Sequence, residues 1–281
     1  MRSLHGAVAV VTGAGSGIGR ALARALAARG VDLALADVDP VNLEQTRASL
    51  PPRVAALTRT VDVSDLDAMR DFRDATEREY GRVSILINNA GVSLYGSFRE
   101  VSLEDLEWIM GVNFWGTVYG CRLFLPLLER EPHANIVTLS SVFGIISPPL
   151  QIGYSASKFA VRGFSEVLRH ELAGSGVKVT VVHPGGIRTN IASSARRGAA
   201  ADAAAYERDT ANFSARLTLA PEEAAKRIVQ AILHDRPRLL IGRDAAFLDL
   251  VQRAFPARYM EVLQPLLDPK RRFARAAVER V

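Results

Sequence analysis

The chain constrains its own fold near its beginning. Ala7-Val8-Ala9-Val10-Val11 is a short apolar run suited to a buried strand, Thr12-Gly13-Ala14-Gly15-Ser16-Gly17-Ile18-Gly19 is a glycine-rich turn, and Arg20 to Ala27 has helical periodicity. Strand, turn and helix in this order open a parallel β-α-β unit. Glycine at 13, 17 and 19 permits positive φ and close approach of the backbone to a ligand, and the amides and dipole at the helix start attract a pyrophosphate. A tight turn without a ligand would use glycine too. A triphosphate loop ending in Gly-Lys-Ser/Thr is excluded, because Arg20 and Ala21 follow Gly19. A dinucleotide suits the turn better than a nucleoside triphosphate.

The same alternation runs on. Asp32 to Ala36, Val54 to Val61, Val83 to Ile87, Asn135 to Leu139, Val177 to Val182 and Arg238 to Ile241 read as further strands with helices between them. The pattern predicts an α/β, doubly wound, mostly parallel sheet of six or seven strands with helices on both faces. Ser64 and Ser102, each with an acidic residue three positions on, read as helix caps, and Pro221 as a first helical residue. With 281 residues, 48% hydrophobic and 23% charged, one large core is affordable. The expected organisation is a cofactor-binding and catalytic domain over residues 1–242, with a mobile helical lid at about 190–215, and a helical extension over 243–281 packing on the domain or on a partner subunit.

Two features carry chemistry. Tyr154 and Lys158 stand four residues apart, one helical turn, with Ser141 upstream of them. An ammonium so placed biases a phenol toward phenolate, giving an acid/base near neutral pH; taken alone, the pair reads equally as a surface contact. Asp37 ends the second strand eighteen residues after Gly19, where a carboxylate accepts from adenosine ribose hydroxyls and repels a 2'-phosphate. That favours NAD over NADP, while a helix cap before Pro40 is the alternative role.

Together the glycine pattern, Asn88-Asn89-Ala90-Gly91, Ser141, Tyr154-x-x-x-Lys158 and Pro184-Gly185 resemble the classical short-chain dehydrogenase/reductase family over roughly residues 5 to 240. The resemblance implies a single-domain Rossmann fold, a nicotinamide cofactor and interconversion of a secondary alcohol and a ketone. It implies catalytic roles for Asn113, Ser141, Tyr154 and Lys158: Tyr154 as acid/base, Ser141 on the substrate oxygen, Lys158 also on the nicotinamide ribose, and Asn113 completing the proton route. It assigns the cofactor to Gly13, Ser16, Gly17, Ile18, Gly19, Asp37, Asp62, Val63, Asn89, Ala90, Gly91, Tyr154, Lys158, Pro184, Gly185, Ile187 and Thr189. Asp62 would meet the adenine amino group, though a helix-entry residue reads the same way, and Asn88 would line the adenosine side. The helices carrying Asn113 and Tyr154 would pair subunits into a homodimer or homotetramer.

The remaining sequence narrows the classes. One cysteine, Cys121, lies in an apolar helical stretch and reads as core, which fits a reducing, cytoplasmic setting. The five histidines, at 5, 133, 170, 183 and 234, lack close ligand spacing, so no metal is expected. No signal-peptide arrangement precedes the first strand, and no uncharged run approaches the ~18 residues of a membrane span. Val92, Leu94, Tyr95, Phe143, Ile145, Leu150, Gln151 and Ile191 are candidate pocket residues, tilting toward a hydrophobic substrate, and each reads equally as core. Phe247, Leu248, Val251 and Phe255 fall near one stripe of the extension, and the basic residues after Asp268 leave peripheral membrane contact open without indicating specific nucleic acid. A non-catalytic nucleotide-sensing protein on the same fold is the alternative function.

Overall fold

A computed structural model describes residues 3–267. The basic residues from Lys270 onward, and with them the membrane expectation, lie outside the described residues. In chain order the elements are β1 (Val8–Thr12), α1 (Gly17–Ala27), β2 (Asp32–Asp37), α2 (Pro40–Ala48), β3 (Ala56–Thr60), α3 (Leu66–Tyr80), β4 (Ile85–Asn88), β5 (Leu94–Tyr95), α4 (Leu103–Met110), α5 (Gly116–Leu128), β6 (Ala134–Leu139), α6 (Ile152–Glu171), β7 (Val177–Pro184), β8 (Arg196–Arg197), α7 (Ala203–Ser214), α8 (Pro221–Leu233), β9 (Arg238–Ile241), α9 (Arg243–Ala254) and α10 (Tyr259–Leu267).

Seven strands form one parallel sheet in the order β3-β2-β1-β4-β6-β7-β9. The sheet is doubly wound: it grows outward from β1 in one direction and from β4 in the other, so the strand order reverses between these two. β1, β4 and β6 are buried along their whole length, which is why they read as unbroken apolar runs rather than alternating ones. Two helical layers cover the faces. On one, Leu22 and Leu26 of α1 pack with Ile228, Val229 and Ile232 of α8 against Val11, Leu33, Leu35 and Ile87. On the other, Met69 and Phe72 of α3 and Phe124 and Leu127 of α5 pack against Val10, Leu86 and Ile136. Phe72 and Phe124 meet edge to face at 5.8 Å; truncating either to alanine costs about 3–5 kcal/mol.

Local chemistry sets the helix ends. Ser102 and Asp105 form a complete capping box at the start of α4, and Pro221 occupies the first turn of α8. The cap of α3 is Asp65, not Ser64: the Asp65 carboxylate accepts from the amides of Asp67 and Ala68, while the Ser64 hydroxyl donates to Asp62 at 2.6 Å. An aspartate immediately before the first turn outcompeted the serine one place earlier. Likewise Asp39, not Asp37, caps α2, which leaves Asp37 free for the turn beside it. Between α4 and α5 the coil widens into a π turn over Gly111–Trp115.

Expectations for the lid, the extension and one pocket residue also need correction. The segment 190–206 is not helical at first: Arg196 and Arg197 form β8, which pairs in parallel with Leu94 and Tyr95 of β5, and helix begins only at Ala203. In the extension, Leu248 and Val251 are buried but Phe247 and Phe255 are exposed. The buried pair joins Ala245 and Leu263 in a cluster with Val142, Ile145 and Ile146, so α9 and α10 pack on the segment that follows β6. Ile145, read as a pocket residue, belongs to this cluster. No helix among the described residues is long and apolar enough to cross a membrane.

Candidate active site

The carboxyl end of the sheet between β1 and β4 is where ligands bind in open parallel folds, and the glycine turn sits there. Gly13 has φ of +64°, and a Cβ there would come within 2.8 Å of Ala90 Cα. A Cβ on Gly19 would fall 2.0 Å from the Gly13 carbonyl oxygen. Both positions demand glycine, one for its backbone angle and both for space. Ser16 precedes α1 without making a side-chain cap hydrogen bond to the first amides of that helix. Asn89 fastens the turn from the next strand: its Nδ2 donates to the carbonyls of Thr12 at 2.9 Å and Gly13 at 3.1 Å. Ile18 packs into the core beneath, and the Thr189 methyl lies 3.0 Å from the position of a Cβ on Gly17, which brings the loop after β7 over the turn.

Asp37 takes part in this frame. Its carboxylate accepts from the Gly15 amide at 2.8 Å and from the Asp39 amide at 3.0 Å, and a Cβ on Gly15 would strike it. Sequence reasoning passed over Gly15 and Arg20. The Arg20 guanidinium donates to the Gly15 carbonyl, to Asn42 and to the Thr46 hydroxyl, which ties the turn to α2 and commits its charge there. Position alone could have flagged Gly15, a fourth glycine of the turn, facing the end of β2; Arg20 carried no local signal. Asp62 is exposed and accepts from the Ser64 amide and hydroxyl. Val63 is buried against Gly116, where a Cβ would meet it at 2.7 Å. Asn88 departs from its expected place: it is buried, turned toward α5, and donates to Cys121 Sγ at 3.3 Å. Burial pushes the Cys121 thiol up to about 12, against the smaller lowering effect of the Asn88 hydrogen bond.

The second half of the site gathers at the end of β6. Ser141 caps the short 3-10 turn Val142–Gly144, its Oγ accepting from the Phe143 amide at 3.1 Å. Tyr154 and Lys158 lie one turn apart on α6, and both are buried. Lys158 Nζ donates to the Leu139 carbonyl at 2.9 Å and stands 5.8 Å from the centre of the Tyr154 ring. Burial raises the Tyr154 phenol above its usual range, and a hydrogen bond with Ser141 draws it back. Burial also lowers the Lys158 ammonium to about 8, which leaves it largely protonated at pH 7. In this structure the partner that lowers the phenol is thus Ser141. Asn113 sits in the π turn, where its Oδ1 accepts from the Val92 amide at 2.8 Å and its Nδ2 donates to the Val92 carbonyl and the Ser157 hydroxyl. A Cβ on Gly91 would fall 3.1 Å from Lys158 Nζ and 3.2 Å from Asn113 Oδ1, so Gly91 lets these groups and the β4 loop come together.

Apolar residues surround the phenol. Leu94, Ile109 and Tyr154 form one buried cluster, with Val92, Phe143 and Ile191 against it. Phe143 contacts the Tyr154 ring at 6.0 Å and Phe213 of α7 at 6.1 Å, so α7 reaches the cluster from above. Tyr95 donates to Asp209 at 2.8 Å, which anchors α7 to β5. Leu150 adopts φ of +66°, and Gln151 bridges to Gly96; these two border the loop before α6. After β7, Gly185 and Gly186 turn beside Asp244, whose carboxylate accepts from the Gly186 amide at 2.7 Å, and Ile187 is buried. The structure thus places Asn113, Ser141, Tyr154, Lys158 and Gly91 together at the end of β6, with the glycine turn, Asp37 and Asn89 at the ends of β1, β2 and β4; Asn88 turns away and Ile145 packs under α9 and α10.

Known proteins give the arrangement its context. The sequence profile described as short chain dehydrogenase matches residues 7–200. SadH of Mycobacterium tuberculosis, named as a candidate oxidoreductase, is 40% identical over 268 residues, covering 94% of this chain and 96% of its own. Human estradiol 17-beta-dehydrogenase 11 is 31% identical over 273 residues, covering 96% of this chain and 86% of its own. A short chain dehydrogenase/reductase of Burkholderia phymatum, solved in complex with NAD, superposes with a TM-score of 0.83 at 33% identity, over 91% of this chain and 96% of that one. The chain therefore belongs to the short-chain dehydrogenase/reductase family of oxidoreductases, which work with a nicotinamide cofactor.

Proposed function

We propose that the protein is an NAD-dependent oxidoreductase that interconverts a secondary alcohol and a ketone on a hydrophobic substrate, with Tyr154 as acid/base. The observation that carries the reading is the Tyr154 phenol, buried in an apolar cluster with Ser141 hydrogen-bonded to it and the Lys158 ammonium beside its ring. The glycine cradle fits a dinucleotide, since Gly13, Gly17 and Gly19 leave backbone bare where side chains would fill the turn. Ser16, Gly17, Ile18 and Gly19 would take the pyrophosphate and Asp37 the adenosine ribose, with Asp62, Val63, Asn89, Ala90 and Gly91 along the adenosine side. Pro184, Gly185, Ile187 and Thr189 would border the nicotinamide end, and Lys158 its ribose. When bound, the nicotinamide supplies the two-electron acceptor or donor for the carbinol carbon.

The chain's own residues handle the proton. In oxidation the Tyr154 phenolate takes the hydroxyl proton of the alcohol; in reduction the phenol returns it to the carbonyl oxygen. Ser141 donates to the substrate oxygen, where negative charge develops. Lys158, a cation in a site with little water, favours the phenolate, and Asn113 steadies the Val92 segment and the proton route from Lys158. Val92, Leu94, Phe143 and Ile191 would face the substrate, a surface suited to a fused-ring or aryl alcohol of the kind the human relative is named for.

Absorbance-monitored NADH formation over a panel of steroid, terpenoid and aryl secondary alcohols, with NADP as comparison, tests the reading. Tyr154→Phe is expected to lower kcat by about 10²–10⁴-fold while NAD binding stays unchanged. Retained turnover in that variant sinks the acid/base assignment. A preference for NADP sinks the role of Asp37.

A further inference from the structure

The end of β6 holds three consecutive residues, two tied to Lys158 and the third to β7. Leu139 gives its carbonyl to Lys158 Nζ, and the Ser140 hydroxyl donates to the Lys158 carbonyl at 2.8 Å. Ser141 gives its carbonyl to two donors, the Gly144 amide at 2.9 Å and a ring nitrogen of His183, Nδ1, at 3.0 Å. His183 comes from β7, the neighbour of β6 in the sheet. The paired register ends at Leu139 and Val182, and the Ser140 amide makes the last ladder bond, to the Val182 carbonyl. The ladder stops there for a chemical reason: Pro184 has no amide hydrogen to carry it on. Beyond the ladder, the His183 side chain supplies a donor to the following carbonyl, that of Ser141.

We propose that His183 is a positioning residue for Ser141, fixing the Ser141 peptide and through it the aim of the Ser141 hydroxyl at Tyr154. The catalytic part of Ser141 is the one proposed above; the positioning is a property of the fold. A carbonyl only accepts, so Nδ1 carries the hydrogen and Nε2 has the lone pair. Nε2 is buried without a hydrogen-bond partner among the described residues, and the side chain is wholly buried. Burial lowers the imidazole to about 4, so the ring stays neutral and donates from Nδ1 at neutral pH. An unpartnered buried nitrogen costs free energy. Keeping histidine here is consistent with the worth of the other nitrogen's bond. The nearby Arg238 and Asp249 are occupied with each other, at 3.1 and 2.5 Å.

The test compares His183→Leu, which keeps the volume and removes the donor, with His183→Asn, whose side-chain amide reaches about where Nδ1 stands. Phenolate absorbance, wild type minus Tyr154→Phe, gives the ionisation midpoint of Tyr154 over the pH range in which circular dichroism shows folded protein. His183→Leu is expected to raise that midpoint by loosening the Ser141 hydroxyl, and His183→Asn to leave it near the wild-type value. In turnover His183→Leu is expected to lower kcat about 10–100-fold with KM for NAD unchanged, and His183→Asn to recover most of it. An unchanged midpoint in His183→Leu, or equal losses in the two variants, overturns the positioning role. The titration needs no substrate. If wild-type protein turns over nothing in the panel, the enzymatic reading falls, and the midpoint alone upholds or overturns the positioning. Should His183→Leu fail to fold, His183→Ala takes its place in both measurements.

Discussion

Burial governs the proton chemistry of single residues here, and His183 has the clearest consequence. Its imidazole sits at about 4 in the folded chain against an ordinary 6.5. Between those values the unfolded chain binds a proton that the folded ring refuses, so stability falls as pH drops from 6.5 to 4 and the loss is absent above 6.5. The full effect is about 3 kcal/mol. Urea midpoints at pH 7 and pH 4.5 are expected to differ more for the wild type than for His183→Asn; equal differences would show that the ring is not the group responsible. At this scale much of the site was legible in the sequence. Tyr154 and Lys158 follow from helical spacing, and Asp37 from its place at a strand end. Gly15, Arg20 and His183 were not, because their partners lie on other elements: Asp37 on β2, Asn42 and Thr46 on α2, and the Ser141 carbonyl at the end of β6.

Among the helices of the described residues, α7 stands apart in having no buried residue. Side chains along its length attach it: Tyr95 to Asp209, Tyr206 to the Ala195 carbonyl at 2.6 Å and edge to face with Tyr95 at 5.3 Å, and Phe213 to Phe143, with β8 against β5 beside it. Arg196 of β8 adds a stack on Trp108 at 3.6 Å and a 3.5 Å contact with Asp105. An element so held opens at small free-energy cost, which suits a cover that admits substrate. Trp108→Leu removes a stack worth about 0.5–2 kcal/mol. It is expected to speed proteolytic cleavage within residues 195–215 and to raise substrate KM several-fold with KM for NAD unchanged; unaltered cleavage and KM would deny the stack that role. The alanine-rich sequence suggested helix from Ile191 onward, but β8 arises from pairing with a strand distant in sequence, which no local pattern encodes. The π turn that presents Asn113 was equally invisible, since its residues read as ordinary helix.

For the whole molecule, the exposed face of α6 is apolar from Ile152 to Val167 and turns polar at the exposed His170 and Glu171. Ile152, Phe159 and Val167 stand out on it, with Ala156 and Gly163 exposed between them and Trp115 nearby exposed from the π turn. A stripe of that kind suits an isologous contact with a second copy. Val167→Glu, a charge at a position 56% exposed in the single chain, is expected to shift the light-scattering mass from a multiple of the chain toward one chain. A wild-type mass of one chain removes the proposal. The strands of the parallel sheet were open to sequence reasoning because buried parallel strands announce themselves as apolar runs; their order in the sheet was not read from the sequence. The seat of α9 and α10 was not, since it depends on where β6 ends. That seat bears on the order of events during synthesis. Val142, Ile145 and Ile146 find their cover in Ala245, Leu248, Val251 and Leu263, so on a ribosome the Ser141 turn emerges long before the helices that enclose it. In the nascent chain the apolar segment after Ser141 stays uncovered until those helices follow, so that end of the sheet is sealed late.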